Sequence, residues 1–116
     1  MANIREFSGP ILYQLDGNNF RRFAGPILYV IDGKYLRKYA GPLEYEFDGK
    51  YIRRFAGPIE YEFDGHNFRR FSGPILLTYS NGEIRKFAGP ILYKIDGSLS
   101  TIQLMALFTL LFIIGI

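Results

Sequence analysis

The chain alternates apolar and polar residues over short segments, and a glycine-containing pair ends each segment. Two kinds of pair take turns: Gly-Pro, and Asp-Gly, which is replaced once by Asn81-Gly82. Alternation between such turn signals is the period of a β-strand rather than of a helix. The pattern predicts twelve strands of about six residues each, joined as hairpins.

The Gly-Pro pairs recur every 16 residues and divide the chain into six copies of one hairpin. The fullest copies read FAGPILYVIDGKYLRK (23–38) and FAGPIEYEFDGHNFRR (55–70). An open sheet of twelve strands would leave two long unpaired edges, which natural proteins avoid. We therefore expect an all-β fold in which residues 1–97 form a closed 12-stranded antiparallel barrel, followed by a hydrophobic C-terminal helix over 98–116.

The odd copy indicates how the Asp-Gly turns are built. Asn81-Gly82 occupies the slots of Gly33-Lys34, and Asn-Gly favours a type I′ hairpin turn. In the same register the other copies have Gly first, as in a type II′ Gly-X turn. A turn centred on Asp-Gly itself and a three-residue loop remain alternatives.

This register predicts a fully apolar inner face and a charged outer face. An arginine of each copy falls on the outer face, where we expect salt bridges in contact with solvent. The segment Ile52 to Phe55 breaks the alternation, so the aromatic residues before each Gly-Pro either point outward or are turned inward by a bulge. The expected inner layer is Ile4, Leu15, Phe20, Ile31, Leu36, Phe47, Ile52, Phe63, Phe68, Tyr79, Ile84 and Ile95.

The C-terminal segment is apolar on every side when drawn as a helix, so it must be buried all round or lie in lipid. It either threads the barrel as a plug or anchors it in a membrane. Ser98 or Ser100 is the expected N-cap. The residues predicted to form the plug or anchor are Ile102, Leu104, Met105, Leu107, Phe108, Leu110, Leu111, Phe112, Ile113 and Ile114.

Charge and composition offer little catalytic chemistry. The chain has no cysteine and one histidine, His66, which falls in a turn slot filled elsewhere by Asn or Lys. The repeated aspartates are explained by turn formation. We expect no metal site, no cofactor and no enzymatic activity. Nucleic acid is an improbable partner, because a net charge of +3 leaves acidic and basic residues nearly balanced.

Five copies have a second basic residue directly after the outer-face arginine, and this second residue carries the functional signal. Alternation places these cations on the inner face near the Gly-Pro end, among tyrosines, where they suit an anionic headgroup. Alternatively, their stems pack on tyrosine while the charges reach water. The candidate headgroup-binding residues are Arg22, Lys38, Arg54, Arg70 and Lys86, and the candidate aromatic lining is Tyr13, Tyr29, Tyr45, Tyr61 and Tyr93.

The F-A-G-P-I-L-Y-x-I-D-G-K-Y-I-R-R repeat resembles the β-flower families, symmetric barrels of hairpin petals in bacterial proteins. The resemblance covers Ile4 to Gly97. It implies a membrane setting but no established activity. More remotely, twelve antiparallel strands and a hydrophobic C-terminal helix look like the Tubby C-terminal and phospholipid scramblase barrels. There the barrel wraps the helix, and Tubby binds phosphoinositide headgroups through basic residues.

These observations favour a non-enzymatic, membrane-associated scaffold or lipid-binding module with membrane lipid as its partner. Basic residues precede the apolar tail and no signal-peptide pattern opens the chain, so we expect the barrel on the cytoplasmic side. The alternative is a structural repeat protein that associates with itself or with a protein partner.

Overall fold

The computed structural model describes residues 2–115 and shows twelve antiparallel strands closed into one barrel. Each strand pairs with its neighbours in the chain, and β1 pairs with β12. The molecule is shallow, 38 × 36 × 21 Å. The strands are β1 Ala2–Glu6, β2 Ile11–Asp16, β3 Asn19–Arg22, β4 Ile27–Asp32, β5 Tyr35–Lys38, β6 Leu43–Asp48, β7 Tyr51–Arg54, β8 Ile59–Phe63, β9 Asn67–Arg70, β10 Ile75–Ser80, β11 Glu83–Lys86 and β12 Ile91–Asp96. The predicted closed barrel is confirmed.

The Asp-Gly turns have two central residues, as the preferred register predicts. Asp16 pairs with Asn19, which leaves Gly17 and Asn18 in the turn. Gly17 has a φ of +63°, the sign required at the first central position of a type II′ turn. In the odd copy both Asn81 and Gly82 have positive φ, at 52° and 75°, as in a type I′ turn.

The Gly-Pro loops contain four residues and place a strained residue before the glycine. In the loop 23–26 the N–H of Gly25 donates to the carbonyl of Arg22 at 2.9 Å. Ala24 has a φ of +54°, in the left-handed region that L-residues other than glycine avoid. A side chain at Gly25 would be crowded, because its Cβ would lie 3.1 Å from that of Arg22, which would have to move by a few tenths of an ångström. The equivalent positive-φ residues are Ser8, Ala40, Ala56, Ser72 and Ala88.

One bulge on each even-numbered strand bends the wall near the Gly-Pro end. In the β3–β4 pair, Phe20 faces Tyr29 and Arg21 faces Ile27, so Leu28 is the extra residue. The bulges do not turn the preceding aromatic residues inward. Phe7, Phe23, Tyr39, Phe55, Phe71 and Phe87 are 48–61% exposed, which settles the alternative left open by the alternation.

The inner and outer faces follow the predicted register. Of the twelve residues predicted for the inner layer, all are buried except Tyr79, which is partly buried against the core. On the outer face Glu46 accepts a hydrogen bond from Arg53 at 3.1 Å and lies 3.2 Å from Lys34, and these contacts hold its pKa below the usual value. The outer ion pairs are Arg5–Asp96, Arg21–Asp16, Arg37–Asp32, Arg53–Glu46, Arg69–Glu62 and Arg85–Glu83.

The C-terminal helix threads the barrel from the Asp-Gly end. It is α-helical over Thr101–Phe108 and π-helical over Thr109–Ile114. Ser100 is the N-cap, and its hydroxyl accepts from the N–H of Gln103 while the Gln103 side chain accepts from the N–H of Ser100. Gln103 also donates to the carbonyl of Gly17 at 3.0 Å, which ties the start of the helix to an Asp-Gly turn.

The middle of this helix is the centre of the core. Residues 104–111 are buried, whereas Ile102, Phe112, Ile113 and Ile114 are partly buried at its two ends. Phe108 is fully buried and stacks on Phe68 with ring centroids 4.7 Å apart. Of the two predicted positions for the tail, the structure therefore has the plug. No helix within residues 2–115 is long and apolar enough to cross a bilayer.

Relief of the left-handed alanines should stabilise the barrel. We expect Ala24→Gly to raise the free energy of unfolding by about 0.5–1 kcal/mol, since the strain it removes exceeds the entropy that glycine adds to the unfolded chain. Gly25→Ala is the matched control and should destabilise through the close Cβ contact. Urea unfolding of both variants checks this, and a less stable Ala24→Gly variant would contradict it.

Truncation of the helix core should cost far more than truncation at the rim. Phe108→Ala should lower the free energy of unfolding by about 3–5 kcal/mol, because it leaves a cavity inside a closed ring. Phe23→Ala removes an equally large ring that is 52% exposed and should change stability much less. Thermal unfolding of the two variants provides the comparison. Equal losses would show that the helix is not the packing centre.

Candidate functional site

The five predicted cations come together at the Gly-Pro mouth of the barrel. Cross-strand pairs place each of them opposite an inward-facing core residue, on the same face of the wall. All five cations are exposed, as expected at the open end of the bore. The pairs are Tyr13–Arg22, Tyr29–Lys38, Tyr45–Arg54, Tyr61–Arg70 and Leu77–Lys86.

The predicted tyrosine lining is present but uneven. Tyr13, Tyr29 and Tyr45 are buried, whereas Tyr61 and Tyr93 are partly buried. The guanidinium groups of Arg54 and Arg70 lie 5.6 and 5.7 Å from the ring centroids of Tyr45 and Tyr61, within cation–π range. These cations therefore pack on tyrosine and also reach solvent.

The bulges bring carboxylates into this mouth. Glu44 and Glu60 occupy bulge positions and lie 4.0 Å from Lys38 and 3.9 Å from Arg54. In the β1–β12 pair, which closes the barrel, the residue opposite Tyr93 is Glu6 and not a cation. Sequence reasoning missed these contacts because it placed the residues near the Gly-Pro end by simple alternation.

The cations without a carboxylate neighbour are unevenly distributed around the mouth: two of them are adjacent, and Arg22 lies apart from them. Within residues 2–115, Arg22, Arg70 and Lys86 have no carboxylate within 4.0 Å of their charged nitrogens. Arg70 and Lys86 belong to adjacent petals, on β9 and β11. An anion at the mouth would meet the most favourable field beside these two residues.

Half-exposed aromatic side chains surround the mouth from outside. Phe55 packs edge-on against Tyr35 and Phe71 against Tyr51, each with ring centroids 5.8 Å apart, and the Lys94 ammonium lies 5.7 Å from the Phe7 ring. The last turn of the helix, with Phe112 and Ile113, ends inside this circle. We call these six aromatic residues the aromatic rim: Phe7, Phe23, Tyr39, Phe55, Phe71 and Phe87.

A cleft opens between the end of the helix and the barrel wall. It has a volume of about 500 Å³ and is lined by residues of β8–β12, including Arg70, Lys86 and Leu77, and by Phe112 and Ile113 of the helix. A second cleft of about 410 Å³ adjoins it at Leu92 and Phe112 and is lined by Glu6. Sequence reasoning did not find either cleft.

His66 and Asp64 take part in the hydrogen bonds of their own turn. The N–H groups of Asn67 and His66 donate to Asp64 at 2.7 and 2.9 Å, and these bonds hold the Asp64 pKa below its usual value. His66 also contacts the carbonyl of Tyr79 at 2.7 Å through Nδ1. Among residues 2–115, no group of three His, Asp or Glu side chains is placed to hold a metal ion.

No family model, curated protein or solved structure matches this chain. The resemblance to the β-flower families therefore stays a prediction, as does the likeness to the Tubby and scramblase barrels.

Burial of the tyrosine lining should make the fold sensitive to alkali. Burial raises the pKa of Tyr29, Tyr45 and Tyr93 in the folded protein. Their stabilising contribution is complete below the unfolded tyrosine pKa of about 10 and is lost as the pH rises through the folded values. Replacing all three by phenylalanine should flatten the fall in unfolding free energy above about pH 10. Denaturant unfolding across pH 8–12 measures this, and an unchanged slope would contradict it.

Proposed function

We propose that this protein is a non-enzymatic, membrane-associated module that binds anionic lipid with the Gly-Pro end of its barrel. One observation carries the proposal: exposed cations, the aromatic rim and the apolar end of the helix all lie at the same end of the molecule. The cations suit anionic headgroups, the aromatic rings suit the boundary between headgroups and water, and the apolar end of the helix suits the hydrocarbon below it. Their coincidence at one end supports a single docking face.

The energetics of the two side-chain types favour this assignment. Tyrosine is enriched at the boundary between lipid headgroups and water, and phenylalanine is common on the apolar face of segments that lie in this boundary. A lysine or arginine near an anionic leaflet contributes about 1 kcal/mol. Arg22, Arg70 and Lys86 are the cations available for this, since Lys38 and Arg54 already have carboxylate neighbours.

The opposite end of the barrel is unsuited to the same surface. Its turns carry two cations, Lys34 and Lys50, against five carboxylates, those of Asp16, Asp32, Asp48, Asp64 and Asp96. The difference between the ends would orient the barrel with its axis perpendicular to the membrane surface. The Asp-Gly turns would then lie in water. Because the cytoplasmic leaflet is the anionic one, this orientation supports a cytoplasmic location for the barrel.

Vesicle flotation tests the proposal. The full-length protein should bind vesicles that contain phosphatidylserine and should bind phosphatidylcholine vesicles much less. Changing Arg22, Arg70 and Lys86 to glutamine should weaken binding to the anionic vesicles by about fivefold for each charge removed. Added salt should weaken it as well.

A matched variant separates a local effect from a change in net charge. Lys34 and Lys50 lie in Asp-Gly turns and Arg37 lies on the outer wall beside Asp32, and replacement of these three by glutamine removes the same total charge away from the mouth. This variant should retain most of the vesicle binding. Equal weakening by both triple variants, or no binding to anionic vesicles, would overturn the proposal. Concentration-dependent self-association without vesicle binding would favour the structural-repeat alternative.

A further inference from the structure

We infer that the cleft beside Leu77 holds one anionic amphiphile, with its single alkyl chain against the helix and its head between Arg70 and Lys86. The inference rests on the proposed function, because it assumes that this end of the barrel meets lipid-like anions. It goes beyond the proposed function in assigning a defined site for one molecule per protein. Membrane docking alone would need only many weak contacts with a lipid surface.

A break in the repeat marks the position of the cleft. The inward slot occupied by Tyr13, Tyr29, Tyr45, Tyr61 and Tyr93 in the other copies holds Leu77 in the fifth. Leu77 is paired with Phe68 on one side and with Lys86 on the other. Because leucine is shorter than tyrosine, the wall has no ring at this place to fill the space beside the helix.

The cleft has an apolar wall for an alkyl chain and cations at its edge for an anionic head, as an anionic amphiphile requires. Ile75, Leu76, Leu92, Phe112 and Ile113 supply an apolar wall. Arg70 and Lys86 stand at its edge, and within residues 2–115 neither lies within 4.0 Å of a carboxylate. A volume of about 500 Å³ falls in the range of small-molecule sites.

The neighbouring charge sets the direction in which the ligand lies. Glu6 lines the adjoining cleft, so an anionic head placed there would meet a carboxylate. On the side of Arg70 and Lys86 the same head meets two cations on adjacent petals. A carboxylate or a phosphate head would both satisfy these cations, whereas a cationic head would be repelled.

The experiment uses soluble ligands below their micelle concentration, so that no membrane surface is present. Binding to the full-length protein is measured by isothermal titration calorimetry for four probes. Dodecanoate and dodecyl phosphate carry the chain and an anionic head, inorganic phosphate carries only a head, and dodecyltrimethylammonium carries the chain with a cationic head. We expect one site for each of the two anionic amphiphiles, with the tighter of the two identifying the preferred head, and dissociation constants at least about tenfold higher for the other two probes.

Two variants test the site itself. Leu77→Tyr restores the residue that five other copies have in this slot, and it should fill the cleft and abolish binding while the barrel remains folded. Arg70→Gln with Lys86→Gln should raise the dissociation constant by about tenfold or more. Arg22→Gln with Lys38→Gln removes the same charge from petals that do not line the cleft and should change it by less than about twofold.

The outcomes separate this inference from the proposed function. Vesicle binding without any binding of the monomeric amphiphiles would overturn the cleft site and leave the membrane surface standing. Monomer binding without vesicle binding would support the cleft and count against the docking face. Equal binding of dodecyltrimethylammonium, equal binding of inorganic phosphate, or undiminished binding by Leu77→Tyr would each overturn the inference.

Discussion

The whole structure depends on the packing of one apolar helix inside a ring of inward-facing side chains. Without the helix, the layer formed by residues such as Phe63, Phe68 and Ile52 would face an empty bore. Without the ring, a helix that is apolar on every side would have no water-compatible face. Each part therefore supplies the burial that the other lacks, and closure of β1 onto β12 removes the sheet edges at the same time.

The helix adds to the difference in chemistry that the repeated turns already give the two ends of the barrel. It enters at the Asp-Gly end, where its capping box and the bond from Gln103 to Gly17 satisfy polar groups. It ends at the Gly-Pro mouth, where Phe112 and Ile113 are only partly covered. The direction in which the helix is inserted therefore reinforces the polar character of one end and the amphiphilic character of the other.

Much of this architecture could be predicted from the sequence because its causes are periodic. The 16-residue repeat determined the number of strands, and Asn81-Gly82 revealed the register of every Asp-Gly turn. A bulge was one of two alternatives, but its position could not be predicted, because the bulge positions hold leucine in four copies and glutamate in two, a pattern that regular strands would also allow. The outward direction of Phe23 and its equivalents depends on those bulged strands. The cleft depends on where the helix lies relative to Leu77, which no local pattern records.

The fit between helix and ring has a consequence for how many repeats such a chain can carry. The girth of a barrel grows with its number of strands, whereas the girth of an α-helix is nearly constant. Loss of one hairpin would leave too little room for side chains such as Phe108, and gain of one would leave a gap around it. Recombination between such uniform repeats easily changes their number. A barrel with five or seven hairpins would not fit the helix, so the helix favours a chain with six.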